Sequence, residues 1–196
     1  MRKGEQTRQG ILETALAEAS MAGLSGLSIG GLADKVAMSK SGLFAHFNSK
    51  QDLQLQVLET ARQLFVEAVI APALQQPRGE PRLQALFDNW LKWSESSYLP
   101  GGCPFVSASV ELDDQPGPLR DYLVQSQKDW LDTLDTAARI SIDEGHFRSE
   151  IDAKRFAFDF YSIILAYYHF SRLLNDPETT RRCRRAFADL LERSRA

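Results

Sequence analysis

The 196-residue chain is poor in the residues that usually carry chemistry: two cysteines, three histidines and three methionines. Cys103 and Cys183 sit in different segments and make no disulfide framework, so the cytoplasm is the expected location. The histidines His46, His146 and His169 are scattered. No G-x-S-x-G elbow, no H-E-x-x-H and no phosphate-binding loop occurs, which argues against an enzyme. No apolar run follows the basic start, so no signal peptide is expected. The most apolar stretch, Phe156 to Phe170, is interrupted by Asp159 and His169. It is also shorter than the ~20 residues a bilayer span needs, so no membrane partner is expected. No cofactor and no metal is expected either.

What is present is a soluble composition, 43% apolar and 25% charged, in a chain long enough to bury a core. The net charge of −3 is unevenly placed. Residues 1–50 hold six Lys/Arg against four Asp/Glu, a net +2, and the remainder holds 17 against 22, a net −5. The amino-terminal part alone is basic, which permits local contacts to phosphates.

That part contains SIGGLADKVAMSKSGLFAHF, Ser28 to Phe47. Leu32, Ala33 and Val36 share one face of a short helix, and Leu43, Phe44 and Phe47 share one face of a second. Ala37-Met38-Ser39 between them fits a tight corner, and Ser39 is placed to cap the second helix. Two short helices joined by a three-residue turn make a helix-turn-helix. The second helix presents Lys40, Ser41, Gly42, Ala45 and His46, small or cationic residues suited to a duplex groove.

With the NSKQDL that follows, this stretch resembles the DNA-binding signature of the tetracycline-repressor (TetR) family of transcriptional regulators, from about Gln9 to Leu55. GGCPFVSASVELDDQPGPLRD resembles a subset of that family's regulatory domains. The resemblance implies an all-α fold: a three-helix helix-turn-helix DNA-binding domain over residues 1–50, then a helical ligand-binding and dimerisation domain over residues 51–196. It implies DNA contacts from Ser28, Ser39, Lys40, Ser41, Gly42, Phe44, His46 and Lys50. Three residues depart from the family pattern. Ala37 stands where Gly is usual, Gly42 where a hydroxyl is common, and Phe44 where Tyr is common. A left-handed Ala37 would cost about 1 kcal/mol.

The rest of the chain reads as helices separated by loops. Met1 to Gln6 is expected to be a mobile arm. Thr7 to Ala22 is a helix stopped by Gly23. Ser49 and Asp52 form a capping box for a helix from Gln51 to Ala71, ended by Pro72. Lys50 and the first-turn amides there suit a phosphate. Further helices are expected at 82–98, 105–112, 119–144, 152–175 and 178–194.

Trp90 and Trp93 stand three apart. With Phe105, Trp130, Tyr161 and Tyr168 they line a ligand pocket or fill a core. Cys103 is either a redox sensor or a small packed residue. Glu111, Asp113 and Asp114 read as a solvated acidic loop rather than a metal site. The 152–175 segment is apolar nearly all round, so one face is core and the other a subunit interface. The dimer residues are taken as Phe158, Ile164, Leu165, Phe187, Leu190 and Leu191, as the family's last two helices pair with their symmetry mates. Arg181, Arg182, Arg184 and Arg185 form a solvated face or pair with acids across the dimer.

The leading expectation is a homodimeric, ligand-responsive repressor of a palindromic double-stranded DNA operator, released by a small, mostly apolar effector. Two alternatives stand beside it: an architectural DNA-binding protein without an effector, and an all-helical enzyme.

Overall fold

A computed structural model describes residues 3–196. These residues form ten α-helices and two π-turns. In order the helices are α1 (Lys3–Gly26), α2 (Ile29–Lys35), α3 (Lys40–Phe44), α4 (Lys50–Phe65), α5 (Ala71–Leu74), α6 (Glu80–Ser94), α7 (Pro104–Leu112), α8 (Pro118–Asp143), α9 (Ala153–Tyr168) and α10 (Thr179–Glu192). The π-turns are Val66–Ile70 and His169–Leu173. The described residues contain no strand, and Phe147 and Arg195 make one isolated antiparallel bridge. No described helix is long and apolar enough to cross a membrane.

Contacts sort the chain into two compact units. One holds the residues up to Phe65 together with Trp93–Gln125; the other holds Val66–Lys92 and Ser126–Ala196. These units cut the chain elsewhere than at 50/51.

In the first unit α1 buries Ile11, Leu12, Ala15, Leu16 and Ala19 on one stripe, as their spacing requires. The expected arm is largely helical, since α1 begins at Lys3; Met1 and Arg2 lie outside the described residues. Gly23 kinks α1 at φ 75° and ψ 168°, and one further helical turn follows to Gly26. Ser28 accepts from Gly31 N–H at 3.0 Å and Ser39 from Gly42 N–H at 3.0 Å, so each short helix carries its serine cap. Between them Met38 N–H reaches Ala33 O at 2.9 Å and Ala37 N–H reaches Asp34 O at 3.3 Å. This is a Schellman end with Ala37 in the left-handed position, φ 53°. A left-handed alanine costs roughly 1–2 kcal/mol, of which glycine's greater chain entropy returns about half. Ala37→Gly is therefore expected to raise unfolding free energy by about 0.5–1 kcal/mol. Urea unfolding would show it, and no gain or a loss would mean that the turn relaxes.

At the next corner Asp52 N–H donates to Ser49 Oγ at 3.0 Å, while Asp52 Oδ2 accepts from the Asn48 backbone N–H at 2.9 Å. That backbone bond, then the Gln56 amide, hold the Asp52 carboxyl below its usual range. α4 then buries Leu53, Val57, Leu58 and Ala61. It does not run to Ala71. Pro72 offers no N–H to a carbonyl one turn earlier, and the chain passes through the π-turn Val66–Ile70 before α5, with Pro72 in the first turn of α5.

The second unit is centred on stacked aromatics. Phe87 and Phe187 lie parallel at 4.1 Å, and Phe160 meets them edge-on at 5.8 and 5.1 Å. Asp152 caps α9 by accepting from Lys154 N–H and Arg155 N–H at 2.9 and 3.1 Å. The chain end is tied in by Arg195, which donates to the Glu80 carboxylate.

Candidate nucleic-acid interface and effector groove

The helix-turn-helix presents α3 outward. Leu43 and Phe47 are buried beneath it, while Lys40, Ser41, Phe44 and Ala45 are exposed. Gly42 and His46 are half-exposed, with the His46 ring tilted against Phe47 at 6.4 Å. The Lys40 stem lies across Gly30 of α2, where an added Cβ would stand 3.2 Å from Cε. Its ammonium therefore sits beside a surface without a side chain. The Ser28 hydroxyl is engaged in its cap, and Ser39 Oγ is shared between its cap and Ser41 Oγ at 3.1 Å. Lys50 Nζ donates to the Ser25 carbonyl at 2.7 Å.

The six aromatic residues expected around a pocket divide between the units. Trp93 meets Phe65 edge-on at 5.5 Å and Tyr98 at 5.7 Å, and Phe105 meets Phe65 at 6.0 Å, all in the first unit. Trp90 meets Tyr167 at 5.4 Å, and Trp130 meets Phe160 at 6.2 Å, both in the second. Trp90 and Trp93 therefore pack against different partners. Their three-residue spacing spans the passage from one unit to the other at 92/93. Trp90, Trp93, Phe105 and Trp130 are buried core; Tyr161 and Tyr168 are half-buried. The Tyr161 hydroxyl donates to Gln127 Oε1 at 2.7 Å.

An open groove of about 410 Å³ lies elsewhere in the second unit, between α5, α6 and α8. Ile70, Ala73, Leu74, Leu86, Ala137 and Ile140 make its apolar part; Arg82, Asp129, Asp132, Thr133 and Thr136 supply polar groups. Periodicity does not reveal such a site, because these residues are spread over 71 positions and none is aromatic.

The Cys103 thiol is buried, and burial pushes its pKa up. That is the setting of a packed residue, not of a reactive thiolate. Glu111 does not belong to a solvated loop: its carboxylate accepts from Leu24 N–H at 2.8 Å and from Ser25 N–H. No metal-binding group of His, Cys, Asp or Glu occurs among the described residues.

The expected dimer set also divides. Ile164, Phe187, Leu190 and Leu191 are buried inside the protomer, because the apolar seam of α10 packs on its own α6 and α9 through Phe187. Phe158 and Leu165 are exposed, at 63% and 40%. Phe170 at 41% and Leu173 at 68% are exposed apolar residues of the second π-turn, outside the expected dimer set. Arg181, Arg182, Arg184 and Arg185 pair with Glu178, Asp176, Asp88 and Asp189 of the same protomer.

Two family models match the chain. Residues 11–57 match "Bacterial regulatory proteins, tetR family", and residues 79–187 match "Tetracyclin repressor-like, C-terminal domain". No curated protein sequence matches it. Among solved structures, a TetR transcriptional regulator from Chloroflexus aurantiacus is 26% identical, with a TM-score of 0.87 over 98% of this chain and 96% of that one. A transcriptional regulator from Saccharomonospora viridis in complex with choline is 21% identical, with a TM-score of 0.84 and 96% of each chain covered. AibR in complex with isovaleryl coenzyme A and operator DNA is 24% identical, with a TM-score of 0.66 over 83% of this chain and 85% of that one. The last two likenesses are of fold.

Proposed function

Because the chain belongs to the tetracycline-repressor family of transcriptional regulators, we propose that it is a homodimeric repressor that reads a palindromic operator and releases it on binding a small effector. The observation that carries this reading is the presentation of α3: Lys40, Ser41 and Ala45 face outward over a floor of buried Leu43 and Phe47. A capped helix of small and cationic residues enters a major groove without steric conflict. Lys40, Ser41, Gly42, Phe44 and His46 form the contact set, with Ser28, Ser39 and Lys50 at its edge. Residues 1–50 carry the DNA-reading role, and 51–196 the sensing and pairing roles.

Two heads on a two-fold axis meet half-sites one helical turn apart, roughly 34–36 Å centre to centre. The exposed apolar residues Phe158, Leu165 and Leu173 pair the protomers. The groove between α5, α6 and α8 takes the effector: a mostly apolar molecule of modest size with one polar or charged end for Arg82 or the Asp129–Asp132 pair. It releases DNA by its differential affinity for the free and bound states. The relatives solved with isovaleryl coenzyme A and with choline make both signs of charge reasonable starting compounds.

Fluorescence anisotropy with duplexes selected from a random pool tests the reading, with and without added small apolar compounds. Lys40→Ala is expected to weaken specific binding by about 1–3 kcal/mol. Unchanged affinity and unchanged sequence preference would remove Lys40 from the reading set.

A further inference from the structure

The kink at Gly23 is followed by an elbow, Leu24–Ser25, whose backbone polar groups are all engaged by side chains from distant segments. Glu111 of α7 accepts from the Leu24 N–H at 2.8 Å with one carboxylate oxygen and from the Ser25 N–H with the other. Gln54 of α4 donates to the Leu24 carbonyl at 2.7 Å, and this bond is buried. Lys50, at the start of α4, donates to the Ser25 carbonyl at 2.7 Å. Two glycines make room for the arrangement. A Cβ on Gly23 would lie 2.7 Å from Glu111 Oε2, and one on Gly101, just before α7, would lie 1.7 Å from the Ser20 carbonyl oxygen. Gly101 N–H also donates to Ser20 Oγ at 2.9 Å.

The elbow leads within three residues to the cap of α2, and through α2 to α3. Those helices have seven and five residues. Helices so short do not hold a position on their own. Their placement depends on what anchors the chain entering them.

We propose that Glu111 and Gln54 are positioning residues for DNA binding: they clamp the elbow and so set where the reading helix stands. This inference rests on the DNA-binding reading above and goes beyond it. Glu111 carries the sign of charge that a phosphate-facing surface avoids, so its tie to the elbow amides is its role in the head. A displacement of α7 moves the elbow through the same two bonds.

Positioning and phosphate contact separate by salt. A lost phosphate contact removes roughly 0.9 from the slope of log affinity against log salt, whereas a lost positioning bond leaves the slope unchanged. In the full-length dimer, with a duplex selected by the wild type, Gln54→Met and Glu111→Gln are each expected to weaken binding roughly 3- to 30-fold with the slope unchanged. The double variant should lose less than the product of the two, because both hold one elbow. Amide hydrogen exchange, read without DNA, should speed up at Leu24 and Ser25 in Glu111→Gln.

A slope that drops by about one in either variant, or wild-type affinity in both, overturns the proposal. So do strictly multiplicative losses, or unchanged exchange at the elbow. A wild type that binds no selected duplex defeats the DNA-binding reading and the positioning role with it, while the exchange experiment still judges the clamp.

Discussion

Replacing Phe158 and Leu165 together by glutamate is expected to leave a monomer that has lost its operator. Phe158 and Leu165 are exposed apolar residues of α9, and Phe170 and Leu173 of the π-turn after it. A two-fold interface sets each patch against its own copy, so one substitution places like charges on both sides of the seam. Burying them unpaired is unfavourable by several kcal/mol, more than most interfaces retain after their ordering costs. Without a partner a single head reads one half-site. Specific binding then falls towards the non-specific level, a loss of roughly a thousandfold or more. Light scattering at micromolar protomer and anisotropy on the selected duplex measure the two effects. A dimer that persists with full affinity would move the interface away from α9. The substituted residues are exposed in the protomer, so its own core is left intact.

Phe160→Ala is expected to cost about 3–5 kcal/mol of folding stability. The Phe160 ring is fully buried, edge-on to Phe87, Phe187 and Trp130 at 5.8, 5.1 and 6.2 Å. Phe87 and Phe187 are already stacked at 4.1 Å and have little room to move into the hole. Both the transfer term and the cavity term therefore apply nearly in full. Urea unfolding at one fixed protomer concentration reads the loss, since dimerisation contributes to apparent stability. A loss below about 1 kcal/mol would mean that the ring stack collapses inward and fills the space.

Local chemistry made much of this molecule readable from its residues. Serines before short apolar repeats announced the caps of α2 and α3, and both caps are present. Ala37 stands where glycine is usual in a left-handed position, and its φ is 53°. The apolar spacing of α1 and α4 marked the buried stripes. Partners were harder to read, because periodicity reports that a face is buried but not what covers it. The seam of α10 covers its own protomer, so four of six expected interface residues are internal. Trp90 and Trp93 belong to different units although they share a helix.

Bonds between remote positions left no local trace. Glu111 reaches an elbow 86 and 87 residues away, and Arg195 reaches Glu80 across 115. In the sequence Glu111 reads as part of a solvated acidic loop. The π-turns were also hidden, since a widened turn has no composition of its own; Pro72 marked the place of the first without revealing its form.

The compact unit that contains the head borrows a second length of chain, Trp93–Gln125, to complete itself. A chimera spliced after residue 50 onto a foreign sensor would arrive without α4, without α7 and with a bare oily underside. Specificity transplants in this protein should therefore exchange two separate cassettes at once.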